Sequence, residues 1–390
     1  MPVLILIDGL DSTPAAPDSM PVWRRLAATG RTGRLHCAAA PLFDLFGHGV
    51  PAGDGGQADL PLGYASALAL ADQAGSEWPD PERIWCCLGF THLYKKQNDL
   101  LFLSPERTGQ SEAECRALLE AILPDWQEAG WLLYPPTQIH KPENSPPARW
   151  GPAGGRYFVL SRDASLPPPA VVRSQPLDTL EGDSFRTRSP SGAYAATLLP
   201  LLTVGQLILV RHPVNQRRQQ AGRVSLNTPW MWGVGSGMGG MPVRHAEVGC
   251  CWTAQPVVAG LARAKGYRLA WLDEEKDFTP LVAEICQAMT TGVVLLHLSL
   301  PAVLARHGLL EERHALLQRI NDQLLEPLAQ TAEQLLIADL DAVSTTEKTI
   351  PWVMARGRSL VRKRRFWHRG QPGVGPVLNP AQFWSLCGLS

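Results

Sequence analysis

Residues 3–7 form an unbroken apolar run that stops at Asp8-Gly9. Such a run, without alternation, predicts a central parallel strand covered on both faces and ending in a turn. A short helix over 21–28, stopped by Gly30, and a Gly/Asp/Pro-rich loop over 51–62 follow. Beyond a boundary at 79–81 the pattern predicts strands at 84–90 and 100–103, an amphipathic helix at 111–123, and strands at 130–134 and 156–161. Pro-rich loops lie at 135–152 and 167–169. From residue 192 the rhythm changes. A helix over 192–203 and a strand at 229–232 are followed by a helix over 254–265, a strand at 268–272, a helix over 279–289, a strand at 293–298, a long helix over 310–332 and a strand at 334–338. Strands alternating with helices imply parallel β-α units and a doubly wound α/β sheet. Such sheets bind ligands beyond the carboxyl ends of their strands. That rule points to Asp8, the segment after Trp232, His297 and Asp339.

Composition changes this picture little. Of the 390 residues 45% are hydrophobic and 18% charged, an ordinary folded composition. Lys+Arg and Asp+Glu both number 36, so overall charge favours no polyanionic partner, and nucleic acid is not the expected ligand. The N-terminal apolar run is short and lacks a basic leader, so it does not read as a secretory signal. The stretch 193–210 is broken by Pro200, Thr203, Gly205 and Gln206 and reads as a buried helix and connection, not a membrane span. The eight cysteines include the adjacent pairs Cys86-Cys87 and Cys250-Cys251 but no CxxC. They read as buried, reduced thiols in a cytoplasmic protein. A basic cluster over 356–369 reads as a solvated C-terminal extension.

The segment 209–237, LVRHPVNQRRQQAGRVSLNTPWMWGVGSG, carries the most specific pattern. His212 and Asn215 lie in a His-Pro-Val-Asn turn, followed by a basic, Gln-rich stretch and a Gly-x-Gly-x-Gly run. With ILIDGLDS at the start, Leu62-Gly63-Tyr64 after a loop, Gly154-Gly155-Arg156 before an apolar strand, and Gly260…Gly266, this segment resembles the archaeal-type, cofactor-independent phosphoglycerate mutases. The similarity runs over roughly residues 1–357. It implies an alkaline-phosphatase-like α/β core, a doubly wound and mostly parallel sheet, with a smaller inserted α+β domain. The expected organisation is a core over 1–82, an insert over 83–185, the rest of the core over 186–357 and an extension over 358–390.

The resemblance also implies two metal ions and a Ser nucleophile that carries the phosphoryl group between hydroxyls. This chain departs from that set. Counting back from Leu62-Gly63-Tyr64 puts Asp54 at the Ser, Gly55 at the Asp and Ala58 at the His. No Ser or Thr occurs over 51–64. The next Asp-x-x-x-His falls on Ala302 and Arg306, and Asp339 is followed by Leu340 in place of a His. One metal site thus loses its ligands. The other keeps Asp8 and Asp339, with Asp54 in place of the Ser and Asp341 as a further carboxylate. These are enough carboxylates for a single Mg²⁺ or Mn²⁺, and equally they read as solvated loop acids. An aspartyl nucleophile at Asp54 is chemically allowed.

Arg156, His212, Asn215 and His297 are the candidate substrate contacts, Arg156 because its planar fork suits phosphate or carboxylate. A turn stabilised by Asn215 and a strand-edge Arg read the same residues without a ligand. No G-x-S-x-G or P-loop motif is present. The expectation is a mutase-like protein with a degenerate centre, binding a phosphorylated or carboxylated metabolite or a protein partner. An active metal-dependent phosphotransferase is the alternative. A protein–protein scaffold using some of the 13 tryptophans is the third reading.

Overall fold

A computed structural model describes residues 2–8, 20–29, 31–36, 79–134, 157–163, 174–177, 180–191, 195–236, 249–339, 349–356, 377–378 and 382. In chain order the main elements begin with β1 (Pro2–Ile7), α1 (Pro21–Thr29) and β2 (Arg31–His36). Then come β3 (Ile84–Lys96), β4 (Asp99–Leu103), α2 (Glu112–Glu128), β5 (Trp131–Tyr134), β6 (Tyr157–Arg162), α3 (Ala195–Val210), α4 (Pro213–Gln220) and β7 (Thr228–Ser236). The series ends with β8 (Cys250–Thr253), α5 (Pro256–Ala264), β9 (Arg268–Trp271), α6 (Thr279–Ala288), β10 (Val294–Leu298), α7 (Leu300–Arg306), α8 (Leu310–Arg319), a π turn (Ile320–Leu325), α9 (Glu326–Thr331), β11 (Gln334–Asp339), β12 (Thr349–Arg356) and β13 (Val377–Leu378). The chain divides into two compact units, Met1–Val50 with Pro242–Ser390, and Pro51–Met241.

The first unit holds an eight-stranded sheet in the order β13-β2-β12-β11-β1-β10-β8-β9. β1 runs parallel to β10 and β11, and β10-β8-β9 continue in parallel. β12 is antiparallel to β11 and β2. Val3 to Ile7 are all buried, as the unalternating run predicts for a strand with neighbours on both edges. β8, a four-residue Cys-Cys-Trp-Thr strand, was not legible as a strand in sequence. Its start abuts β10: a Cβ on Gly249 would lie 1.7 Å from the Val293 carbonyl, so only glycine fits there. The helix expected over 310–332 is interrupted by the π turn, where buried Asn321 accepts the Val22 amide through Oδ1 at 2.9 Å. The wider turn serves a polar side chain aimed at the start of α1.

The second unit holds a five-stranded antiparallel sheet, β4-β3-β6-β5 with β7 on the other edge of β3. This corrects the reading of 229–232 as a strand of the parallel core. β7 pairs with β3 along its length, so the segment 186–241, expected in the core, lies within the compact unit Pro51–Met241. Alternation along β3 feeds two clusters. Ile84, Cys86, Leu88 and Phe90 pack with α2 and α3, while Cys87 joins Phe102, Leu177, Trp230 and Trp232. Adjacent cysteines therefore serve different clusters. Cys86, Cys87, Cys115, Cys250 and Cys251 are buried thiols, and burial pushes the Cys86 and Cys251 thiols well up.

Candidate functional site

The parallel strands of the first unit end together. Ile7 lies opposite both Leu298 and Asp339, and His297 lies opposite both Leu6 and Thr253. The Asp8 amide continues the ladder to the Leu298 carbonyl at 2.8 Å. Asp8, Thr253, His297 and the backbone of Asp339 thus stand at the carboxyl ends of four adjacent strands, where the topology rule puts ligands.

Side-chain geometry ties three of these residues into one chain of hydrogen bonds. His297 Nε2 is 3.1 Å from Asp8 Oδ2, and His297 Nδ1 is 3.1 Å from Thr253 Oγ1. Thr253 Oγ1 also accepts the Gln255 amide at 3.0 Å. The Asp8 carboxylate can only accept, so Nε2–H donates to it, and in the neutral ring Nδ1 is then the acceptor of the Thr253 hydroxyl. His297 is fully buried with both ring nitrogens engaged, so it orients the Asp8 carboxylate and has no nitrogen left for a substrate. This departs from its reading as a substrate contact.

A second carboxylate at this sheet edge was not anticipated. Glu274, just beyond β9, is buried. Its Oε1 accepts the Ser299 amide at 2.9 Å and the Ser299 hydroxyl at 3.0 Å, and its Oε2 accepts the Leu300 amide at 2.9 Å. Burial pushes its pKa up, against the opposing pull of those amides and of His297. The sequence Leu-Asp-Glu-Glu-Lys reads as a solvated turn. Only its place after a strand of the parallel sheet could have marked Glu274 as an edge residue.

Metal chemistry finds partial support in these residues. Among the described residues no group of three or more His, Cys, Asp or Glu side chains is placed to hold an ion. Both Glu274 oxygens are spent on α7. Ala302 and Arg306, at the positions the resemblance gives to an Asp and a His ligand, lie on α7, with Ala302 buried and Arg306 exposed. These residues do not fit a second ion. Asp8 and the backbone of Asp339 are adjacent at the strand ends. Asp54 and Asp341, the other carboxylates of the single-ion reading, lie outside the described residues, as does Arg156.

The His-Pro-Val-Asn turn is built into the second unit as structure. His212 caps α4: its Nδ1 accepts the Val214 amide at 3.3 Å, with Pro213 in the first turn. Burial, reinforced by Arg217, lowers the His212 pKa, which keeps Nδ1 an acceptor at neutral pH. Asn215 is fully buried. Its Nδ2 donates to the Leu209 and Leu226 carbonyls at 2.8 and 2.9 Å, and its Oδ1 accepts the Leu226 amide at 2.6 Å. The amide is consumed by backbone, so its role here is to join the end of α3 to the lead-in of β7. Arg218 is likewise internal, bonded to Glu114 at 2.8 Å and to the Val224 carbonyl at 2.7 Å. Gly233 and Gly235 sit in β7, where the register with β3 shifts between Trp85 and Cys87 and Gly233 takes φ +63°. They make a β-bulge and not the anion-binding loop that the Gly-x-Gly pattern also allows.

The chain has an alkaline-phosphatase-like α/β fold, with a mostly parallel sheet that carries acids at its strand ends and a separate antiparallel α+β unit. Over 189 residues the chain is 23% identical to a protein of Geobacter sulfurreducens named probable 2,3-bisphosphoglycerate-independent phosphoglycerate mutase; the match spans 46% of this chain and 46% of that protein, under half its length. Among solved structures, the PH0037 protein from Pyrococcus horikoshii superposes with a TM-score of 0.52 at 14% identity, covering 100% of this chain and 97% of that one. The cofactor-independent phosphoglycerate mutase from Thermoplasma acidophilum gives a TM-score of 0.48 at 14% identity, covering 99% and 98%. No family model matches the sequence.

Proposed function

We propose that this chain is a phosphoglycerate-mutase-like protein that does not run the mutase cycle and binds a small phosphorylated or carboxylated metabolite. One observation carries the reading. Ala302, where the resemblance expects a metal-binding carboxylate, is a buried apolar residue at the start of α7, where Glu274 already accepts the Ser299 and Leu300 amides. The absence of any Ser or Thr over 51–64 supports it from the sequence side. Arg156 is the proposed anion contact, by the chemistry of its guanidinium. The buried thiols fit a reducing, cytoplasmic setting.

The test combines metal content with turnover. The full chain, equilibrated with Mn²⁺ or Mg²⁺, should retain fewer than two ions. It should give no interconversion of 3-phosphoglycerate and 2-phosphoglycerate above background, yet bind 3-phosphoglycerate in a titration weakened by Arg156→Ala. The second reading is an active phosphotransferase with one ion, and the adjacency of Asp8 and Asp339 at the strand ends favours it. Metal-dependent turnover abolished by Asp54→Ala would establish that reading and sink the first.

A further inference from the structure

α3 is uncharged throughout: Ala195–Val210 contains no Asp, Glu, Lys or Arg, and Thr197, Thr203 and Gln206 are its polar residues. A surface helix normally shows one apolar stripe and one polar face. Here Leu198, Leu202, Gly205 and Leu209 are buried, while on the opposite arc Leu199, Val204, Leu207 and Val210 remain 36%, 38%, 68% and 59% exposed. Half of the large exposed hydrophobic side chains among the described residues belong to this one helix. At about 1.5 Å per residue the stripe from Leu199 to Val210 is roughly 17 Å long. An apolar surface of that extent marks an interaction site more often than a solvated face. Among the described residues no single helix is long and apolar enough to cross a membrane.

The charges around the stripe identify what covers it. No Asp or Glu occurs between Asp183 and Glu247. At the C-terminal end of α3 stand exposed Arg211 and Arg217, neither in an ion pair among the described residues. α3 packs against α2, whose exposed Glu120 and Glu128 also lack ion-pair partners there. The N-terminal end of α2 meets α4 through Glu114 and Arg218, so Glu120 and Glu128, further along α2, lie away from the arginines. The surface is thus apolar in the middle, basic at one end and acidic beside it. An anionic bilayer would be repelled by Glu120 and Glu128. A surface carrying both signs is complementary to itself under a two-fold rotation, which sets the basic end of one copy against the acidic helix of the other.

We propose that α3 is an isologous interface through which two copies of this chain associate, with Leu207 at its centre and Arg211 and Arg217 facing Glu120 and Glu128 of the second copy. The proposal does not depend on the ligand or activity proposed above.

Sedimentation velocity of the full chain over a range of concentrations tests it. A monomer–dimer equilibrium is expected. Leu207→Asp, a change at an exposed position that leaves the thermal melt in place, should weaken association by about tenfold or more. Arg211→Glu with Arg217→Glu should also weaken it, and adding Glu120→Arg with Glu128→Arg should restore it, because the two-fold axis exchanges the two sets. A chain that stays monomeric at every concentration overturns the proposal. So does a dimer indifferent to Leu207→Asp, or a monomer that binds vesicles of anionic lipid through the same residues.

Discussion

Asn215→Ala separates a structural turn from a ligand-binding one. Asn215 supplies three hydrogen bonds, all to backbone. The Leu209 carbonyl keeps the His212 amide as a donor at 3.1 Å when Asn215 is cut back, so it is not orphaned. The amide and carbonyl of fully buried Leu226 each lose a partner. An unsatisfied buried group costs about 1–3 kcal/mol, so two predict a destabilisation of about 2–6 kcal/mol. Urea unfolding followed by tryptophan emission measures it, as a fall in midpoint at unchanged slope. Asn215→Asp sharpens the test. The acceptor remains but both donors go and a carboxylate is buried, so its folded pKa rises above the ordinary value of about 3.9. A raised folded pKa contributes stability that is present at low pH and lost as pH climbs through it, so this variant should be firmest in acid and weaken toward neutrality. A loss below about 0.5 kcal/mol for Asn215→Ala, the range of ordinary surface changes, would refute the clamp and return Asn215 to the ligand-binding reading.

Further outcomes follow from other groups. The Glu114 carboxyl is pushed up by burial, but the Ser111 amide and the Arg218 guanidinium outweigh this and hold it below the ordinary range. Stability from that pair is therefore complete above about pH 4.5 and lost as pH falls through the depressed value, and Glu114→Gln should flatten the acid limb of a pH-stability curve. His297→Ala should cost about 2–4 kcal/mol in a denaturant melt, because Asp8 and Thr253 lose a shared buried partner; an unchanged midpoint would show that the three-residue chain of bonds does not hold Asp8. Ala302→Asp should lower the melting temperature equally with and without Mn²⁺, since a carboxylate is buried where the described residues offer no group of ligands. Rescue by Mn²⁺ alone would show that an ion site can still assemble there.

The central strand was legible because Val3–Ile7 is apolar at every position, which only a strand with neighbours on both edges and cover on both faces demands. Asp8 at its end, and His297 and Asp339 at the ends of two more apolar runs, were marked by the same logic. Most helices of the first unit followed from their 3.6-residue spacing. Sequence could not say which sheet the strand Thr228–Ser236 joins. Its apolar composition suits either sheet, and only pairing with β3 puts it in the antiparallel one. Nor could it give the roles of the marked residues. His212 and Asn215 carry the most recognisable motif in the chain, yet the fold spends both on backbone groups. Glu274 hides in an acidic run and becomes a buried cap because β9 delivers it to the first turn of α7. Local pattern determines which segments become strands and helices, since that depends on spacing along one chain. What a polar side chain does depends on which unpaired donors and acceptors distant segments bring to it, and that is decided only when the tertiary structure closes.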